Sequence, residues 1–180
     1  EVWTQGIYEA INNTFAKENM SVVGEELSIP AMKDTTDVNE KVGILRKKYT
    51  VPPKVIVCIG DPSWLVCRPL FEKEWKGVPT IICHSQELIP TKIEYLLGRD
   101  LQTIQHMALT EDQVKGYNVT RLIQPLFVKE TIETIKKLQP ELNKIVFIRD
   151  NRYISLYTEQ ELSKTMQADF PELKLKVLST

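Results

Sequence analysis

Apolar residues recur along this chain in two alternating rhythms. Trp3, Ile7, Ile11 and Phe15 repeat every four residues, and Val38, Val42, Leu45 and Tyr49 follow at steps of three and four. Each set lines one face of a helix. Short apolar runs stand between and after them. Met20–Ile29, with Gly24 inside it, predicts a strand, and so do Lys54–Ile59 and Val78–His84. The β-branched core of the last two lacks strict alternation, which suits strands buried on both faces. Between them, Trp64, Cys67, Phe71 and Trp75 mark one face of a helix over Pro62–Lys76. Gly60 frees the turn that precedes it, Asp61 suits its N-cap and Pro62 its first position. Asp37 and Glu40 have the spacing of a capping box variant.

The centre of the chain is less regular. Thr91–Gly98 reads as a short helix stopped by Gly98, and Arg99–Leu109 fits helix and strand equally. Thr110–Val119 is polar, with Gly116 and Asn118 as turn residues. Asn118–Phe127 suits a strand that Pro125 confines to an edge or an end. The pattern then sharpens. Val128, Ile132, Ile135 and Leu138 form a helix stripe, and Lys144–Ile148 a buried strand. Thr158 and Glu161 have capping-box spacing ahead of Leu162, Met166 and Phe170, and Leu173, Leu175 and Val177 alternate as a last strand.

Helices alternating with buried strands predict an α/β fold, with parallel Rossmann-like sheets flanked by helices. Two regular blocks around an irregular centre suggest two lobes, the second incomplete. The first spans residues 1–115, and residues 116–180 hold the crossover, within 110–128, and the start of the second. One continuous sheet is the alternative. The first helix has no N-cap signal, so a preceding strand is expected outside this sequence. The chain starts without Met and without a signal peptide, and reads as a piece of a longer protein.

Composition narrows the function classes. The 180 residues are 42% hydrophobic and 26% charged with a formal net charge of −1, so no basic surface for nucleic acid is indicated. No run approaches the ~18 apolar residues of a membrane span. Cys58, Cys67 and Cys83 are odd in number and sit in apolar runs, which suits buried thiols acting as small hydrophobes. A Cys58–Cys83 disulfide across two strands is the alternative.

Candidate chemistry is sparse. His84, beside Cys83, invites a metal or nucleophile reading, yet neither histidine has a ligand partner at i+3 or i+4. Gly60-Asp61-Pro62-Ser63-Trp64 lacks the second glycine of a nucleophile elbow. No phosphate-binding glycine loop is present, so no cofactor is expected. Asp61 and Asp150 end strands as phosphoacceptor residues do, but the companion acidic pair and lysine are not visible. Three glycosylation triplets, at Asn12, Asn19 and Asn118, carry no weight, since the first lies inside a predicted helix. What remains is a row of polar strand ends: Asp61 and Ser63, His84 and Ser85, Asp150 and Tyr153. In a parallel sheet these share one edge, where a cleft for a small molecule would form.

The order of segments resembles the periplasmic-binding-protein-like sensor domains of bacterial membrane histidine kinases. It is also similar to the solute-binding proteins of ABC-type uptake systems. Four stretches carry the likeness: Trp3-Thr4 at the first helix; Pro53 to Pro62, a strand ending in an acidic turn; Gly77 to Ile82; and Thr131 to Pro140 followed by Lys144 to Asp150. This chain departs from the pattern where Asn151-Arg152-Tyr153 replaces the glycine that commonly follows the second acidic turn. The resemblance implies a type I binding-protein architecture and an extracytoplasmic, periplasmic domain of a membrane-anchored two-component sensor, taking a small ligand between its lobes. Alternatives are a transport solute-binding protein, a flavodoxin-like α/β enzyme using the Asp61 or His84 edge, and the effector domain of a repressor. Unpaired strand edges would favour a homodimer.

Overall fold

The structure is a computed structural model that describes residues 2–98 and 106–179. Its contacts divide the chain into two compact units, Glu1–Met32 and Lys33–Thr180. In the first, helix α1 (Val2–Ala16) carries its stripe as predicted, with Ile7, Ile11 and Phe15 half-buried. Met20–Ile29 is not the predicted strand. It joins no sheet, Met20 and Val23 are exposed, and Ile29–Ala31 closes a 3-10 turn. The run is apolar enough for a strand but no neighbouring strand pairs with it. It passes close to α1 at Gly24, where a Cβ would meet the Tyr8 ring at 2.9 Å.

The second unit is an α/β assembly of parallel sheets flanked by helices, the class that the alternation of patterns predicts. Helix α2 (Thr35–Lys48) starts earlier than the spacing of Asp37 and Glu40 suggests. Its N-cap is Asp34, whose carboxylate accepts the Thr36 N–H at 2.7 Å, and Asp37 reaches back to accept the Lys33 N–H at 2.7 Å. Strand β1 (Ile56–Ile59) leads through Gly60 into helix α3 (Asp61–Phe71). Gly60 has φ 83° and ψ 150°, a conformation essentially restricted to glycine. The predicted helix to Lys76 ends instead at Phe71. Pro69, without an N–H, weakens the last turn, and Lys73 and Trp75 then bond back to the Leu70 carbonyl.

Strands β2 (Thr80–Ser85) and β5 (Val119–Ile123) complete a parallel three-stranded sheet in the order β1-β2-β5. Thus the stretch read as a crossover contributes a strand to the first sheet. Between β2 and β5 lie β3 (Leu88–Pro90), helix α4 (Ile93–Gly98), β4 (Met107–Leu109) and the short helix α5 (Thr110–Val114), with β3 and β4 antiparallel. The ambiguous stretch 99–109 therefore ends in a strand, and its residues 99–105 lie outside the described ones. The core beneath holds Trp64, Val66, Leu70, Ile82 and Ile89, all fully buried. Trp64 meets the Tyr117 ring edge-on at 5.6 Å.

The remainder is a second parallel pair, β6 (Lys144–Arg149) and β7 (Lys174–Ser179), covered by helices α6 (Val128–Leu138) and α7 (Tyr153–Asp169). Ile132, Leu162, Met166, Phe170 and Leu173 form its core. Helix α7 begins five residues before the predicted capping box. Thr158 lies inside it and donates its hydroxyl to the Ile154 carbonyl at 2.8 Å. The box spacing is real but idle, because the helix had already started. The opposite face of the pair leaves Val146, Ile148 and Leu178 exposed.

Candidate functional site

Asp61 follows β1 after Gly60 and is fully buried at the start of α3. It does not cap that helix. Gly60 is the N-cap, and the Asp61 side chain turns across to the end of β2. The Ser85 hydroxyl donates to one carboxylate oxygen at 2.7 Å, and the Gln86 N–H donates to the other at 2.7 Å. Burial raises the Asp61 carboxyl above its ordinary range, against the pull of these two bonds and of the nearby Arg121 and His84 charges.

A bulge makes this contact. Cys83 pairs with Leu122 of β5, but Leu122's successor Ile123 pairs with Ser85. His84 is the extra residue, in the left-handed region at φ 59°. Without the bulge, with His84 in regular register, Ser85 would stand three places after Ile82 and fall on the opposite face from it. With it, Ser85 joins the row side of Cys58, Ile82 and Arg121, which are successive partners across the sheet.

The segment 85–87 is then fixed from three directions. The Gln124 N–H at the end of β5 donates to the Ser85 carbonyl at 2.9 Å. Thr110, fully buried at the start of α5, donates its hydroxyl to the Gln86 carbonyl at 2.7 Å and its N–H to the Glu87 carbonyl at 2.9 Å. The backbone of Gln86 is fully satisfied. Its side chain is only 3% exposed, yet its Oε1 has no hydrogen-bond partner. The same is true of Nη1 of Arg121, which is buried and unpartnered.

Both residues line a cleft of about 480 Å³. Its floor is the carboxyl end of the first sheet, and its far wall is the start of α6 and the flank of α7, with Tyr157 and Thr165. This size and position suit a small-molecule site. Apolar cover comes from Leu109, Ile123 and Leu126, and Glu111, Glu130 and Glu161 add acid at the rim. Lys129 also lines it, but its ammonium is held by Asp169 at 2.9 Å.

The residues singled out from sequence divide. Asp61 and Ser85 come together beneath the cleft as support for Gln86. Tyr153 is buried close enough for the Asp61 charge to act on its phenol, which burial and that charge both push up. Ser63 donates to the Ile59 carbonyl at 2.9 Å, a helix-start contact. His84 serves the bulge. Asp150, at the end of β6, accepts the Arg152 N–H at 3.0 Å and pairs with the Arg152 guanidinium. None of these six lines the cleft itself. Gln86 and Arg121 do, and sequence offered one signal for the second: a lone arginine inside the apolar run Val119–Ile123.

The three cysteines are free thiols, not a Cys58–Cys83 disulfide. Burial pushes all three up, Cys67 to about 12, so they are poor nucleophiles. Among the described residues no group of three or more His, Cys, Asp or Glu is placed to hold a metal ion, and no helix is long and apolar enough to cross a membrane. The chain matches no protein-family model, and no curated protein or solved structure matches it either.

Proposed function

We propose that this chain is a small-molecule-binding sensory domain, the extracytoplasmic part of a two-component sensor histidine kinase. One observation supports the binding reading above the others. A cleft at the carboxyl ends of parallel strands is lined by Gln86 and Arg121, each of which holds a buried polar atom that the protein leaves unpaired. A buried polar atom without a partner is costly, and a ligand that supplies the partner recovers that cost on binding. The kinase context rests on the resemblance of the strand, acidic turn and helix segments. A ligand would act by preferring one arrangement of the cleft walls over another. A solute-binding protein of an uptake system would use the same cleft, and a kinase or a permease encoded alongside distinguishes the two.

The test is a melting-temperature screen against sugars, amino acids, nucleosides and small anions. A ligand at a hundredfold excess over Kd stabilises the native state by about 2.7 kcal/mol. A saturable rise of several degrees is expected for one class, and is lost in Gln86→Leu. No rise with any class would sink the cleft reading.

A further inference from the structure

We propose that the cleft takes an α-amino acid with a basic side chain, its carboxylate on Arg121 and its cationic end against the acidic rim. The inference rests on the cleft reading above and names the ligand's chemistry. Three features of the lining select it. The unpartnered Nη1 of Arg121 is a donor on a cationic guanidinium, so it calls for an anionic or strongly accepting group. The unpartnered Oε1 of Gln86 is an acceptor, fixed by a fully bonded backbone, and calls for an N–H or O–H donor. A carboxylate next to an ammonium provides both.

The third feature is charge. Glu87, Glu111, Glu130 and Glu161 line the cleft against only Arg121 and Lys129, and Lys129 is already paired with Asp169. Glu161 is shared with Lys164 at 2.8 Å, yet acid remains in excess. A neutral zwitterion leaves that excess uncompensated, and a second positive charge on the ligand meets it. A diamine would also meet it, but would bring a cation towards Arg121. Leu109, Ile123 and Leu126 give the aliphatic stem of a lysine- or arginine-like side chain an apolar surface. A cavity of about 480 Å³ accommodates a ligand of that size.

The experiment is calorimetric titration of the 180-residue chain with lysine, arginine, leucine, cadaverine, glutamate and glucose. Lysine or arginine is expected to bind most tightly, leucine more weakly and cadaverine weakest of the three. Arg121→Gln should weaken lysine binding at least about 30-fold, the scale of truncating one partner of a buried charged contact. Circular dichroism and an unfolding transition establish that this variant is folded. Glu161→Gln, on the partly exposed face of α7, should narrow the preference for lysine over leucine. Cadaverine binding as tightly as lysine would overturn the carboxylate anchor. Saturable binding of glucose or glutamate alone, lost in Gln86→Leu, would overturn the ligand class and leave the cleft reading standing. Silence from all six ligands, repeated across the wider screen, would remove both.

Discussion

Asp61 and Asp150 occupy equivalent places in the sequence pattern. Each follows an apolar strand and precedes a helix. Their surroundings differ completely. Asp61 is fully buried and takes its partners from the next strand over, at Ser85 and Gln86. Asp150 is partly exposed and takes its partners from its own turn and the first turn of α7, at Arg152 and Ser155. The neighbouring strand explains this. β2 runs parallel to β1 and continues past its end into the segment 85–87, which is tied to β5 and α5. At Asp150 the corner closes on itself. The same strand-to-helix turn is therefore a keystone in one sheet and a local cap in the other.

The largest break in that comparison is Asp61→Ala. It leaves the Gln86 N–H without an acceptor and the buried Ser85 hydroxyl with only the Gln86 carbonyl, 3.5 Å away. Each unsatisfied group costs about 1–3 kcal/mol, so a loss of about 2–5 kcal/mol is expected in chemical unfolding, together with loss of any ligand response. A loss below 1 kcal/mol would mean the network is not formed.

A finer test uses pH. Burial raises the folded-state value of Asp61 above its unfolded value. Between those values the native state holds more protons, so this group's contribution to stability falls as pH rises through the window and is flat above it. Asn at position 61 can still accept the Gln86 N–H and donate to the Ser85 oxygen, but cannot titrate. Melting temperatures from pH 3 to 7 should show the wild type losing ground to Asp61→Asn as pH rises. A constant difference would refute the burial penalty. Asp150 has the opposite sign. Burial pushes it up, but the Ser155 and Arg152 bonds outweigh this and hold it low. Its contribution is present above the unfolded value and fades as pH falls through the folded one.

The smallest effect is expected for Asp150→Ala. It removes a largely solvated ion pair and the local bonds to Arg152 and Ser155, and such pairs are worth about 0–1 kcal/mol. A loss as large as that of Asp61→Ala would erase the contrast between the two corners.

Much of the fold was legible because burial imposes a period. The stripe Val128, Ile132, Ile135, Leu138 and the run Lys144–Ile148 emerge as α6 and β6 within a residue of their predicted bounds. Where the pattern misled, a local signal competed with a tertiary one. Asp61 has the chemistry of a cap, and nothing within the sequence neighbourhood reveals that Ser85 and Gln86 will claim it. Thr158 and Glu161 have cap spacing but lie inside a helix that Tyr153 begins. Met20–Ile29 has strand composition and no partner. The cleft was legible as an edge, from the polar ends of parallel strands. Its lining was not, because unpaired atoms such as Gln86 Oε1 exist only once the chain has closed around them.

The bulge at His84 also sets what kinds of change the site can survive. Most side chains of β2 could be exchanged for others of similar shape, since alternation along a strand depends on position and not identity. The meeting of Ser85 with Asp61 depends instead on a count, one residue more in β2 than in β5. If His84 took a regular place in the ladder, Ser85 would turn to the other face, even with each amino acid kept. Divergent descendants of this chain can drift by substitution along most of β2 while keeping the site, but a change that closes the bulge, such as a β-branched residue at position 84 where φ is 59°, would turn Ser85 away from Asp61 in a single step.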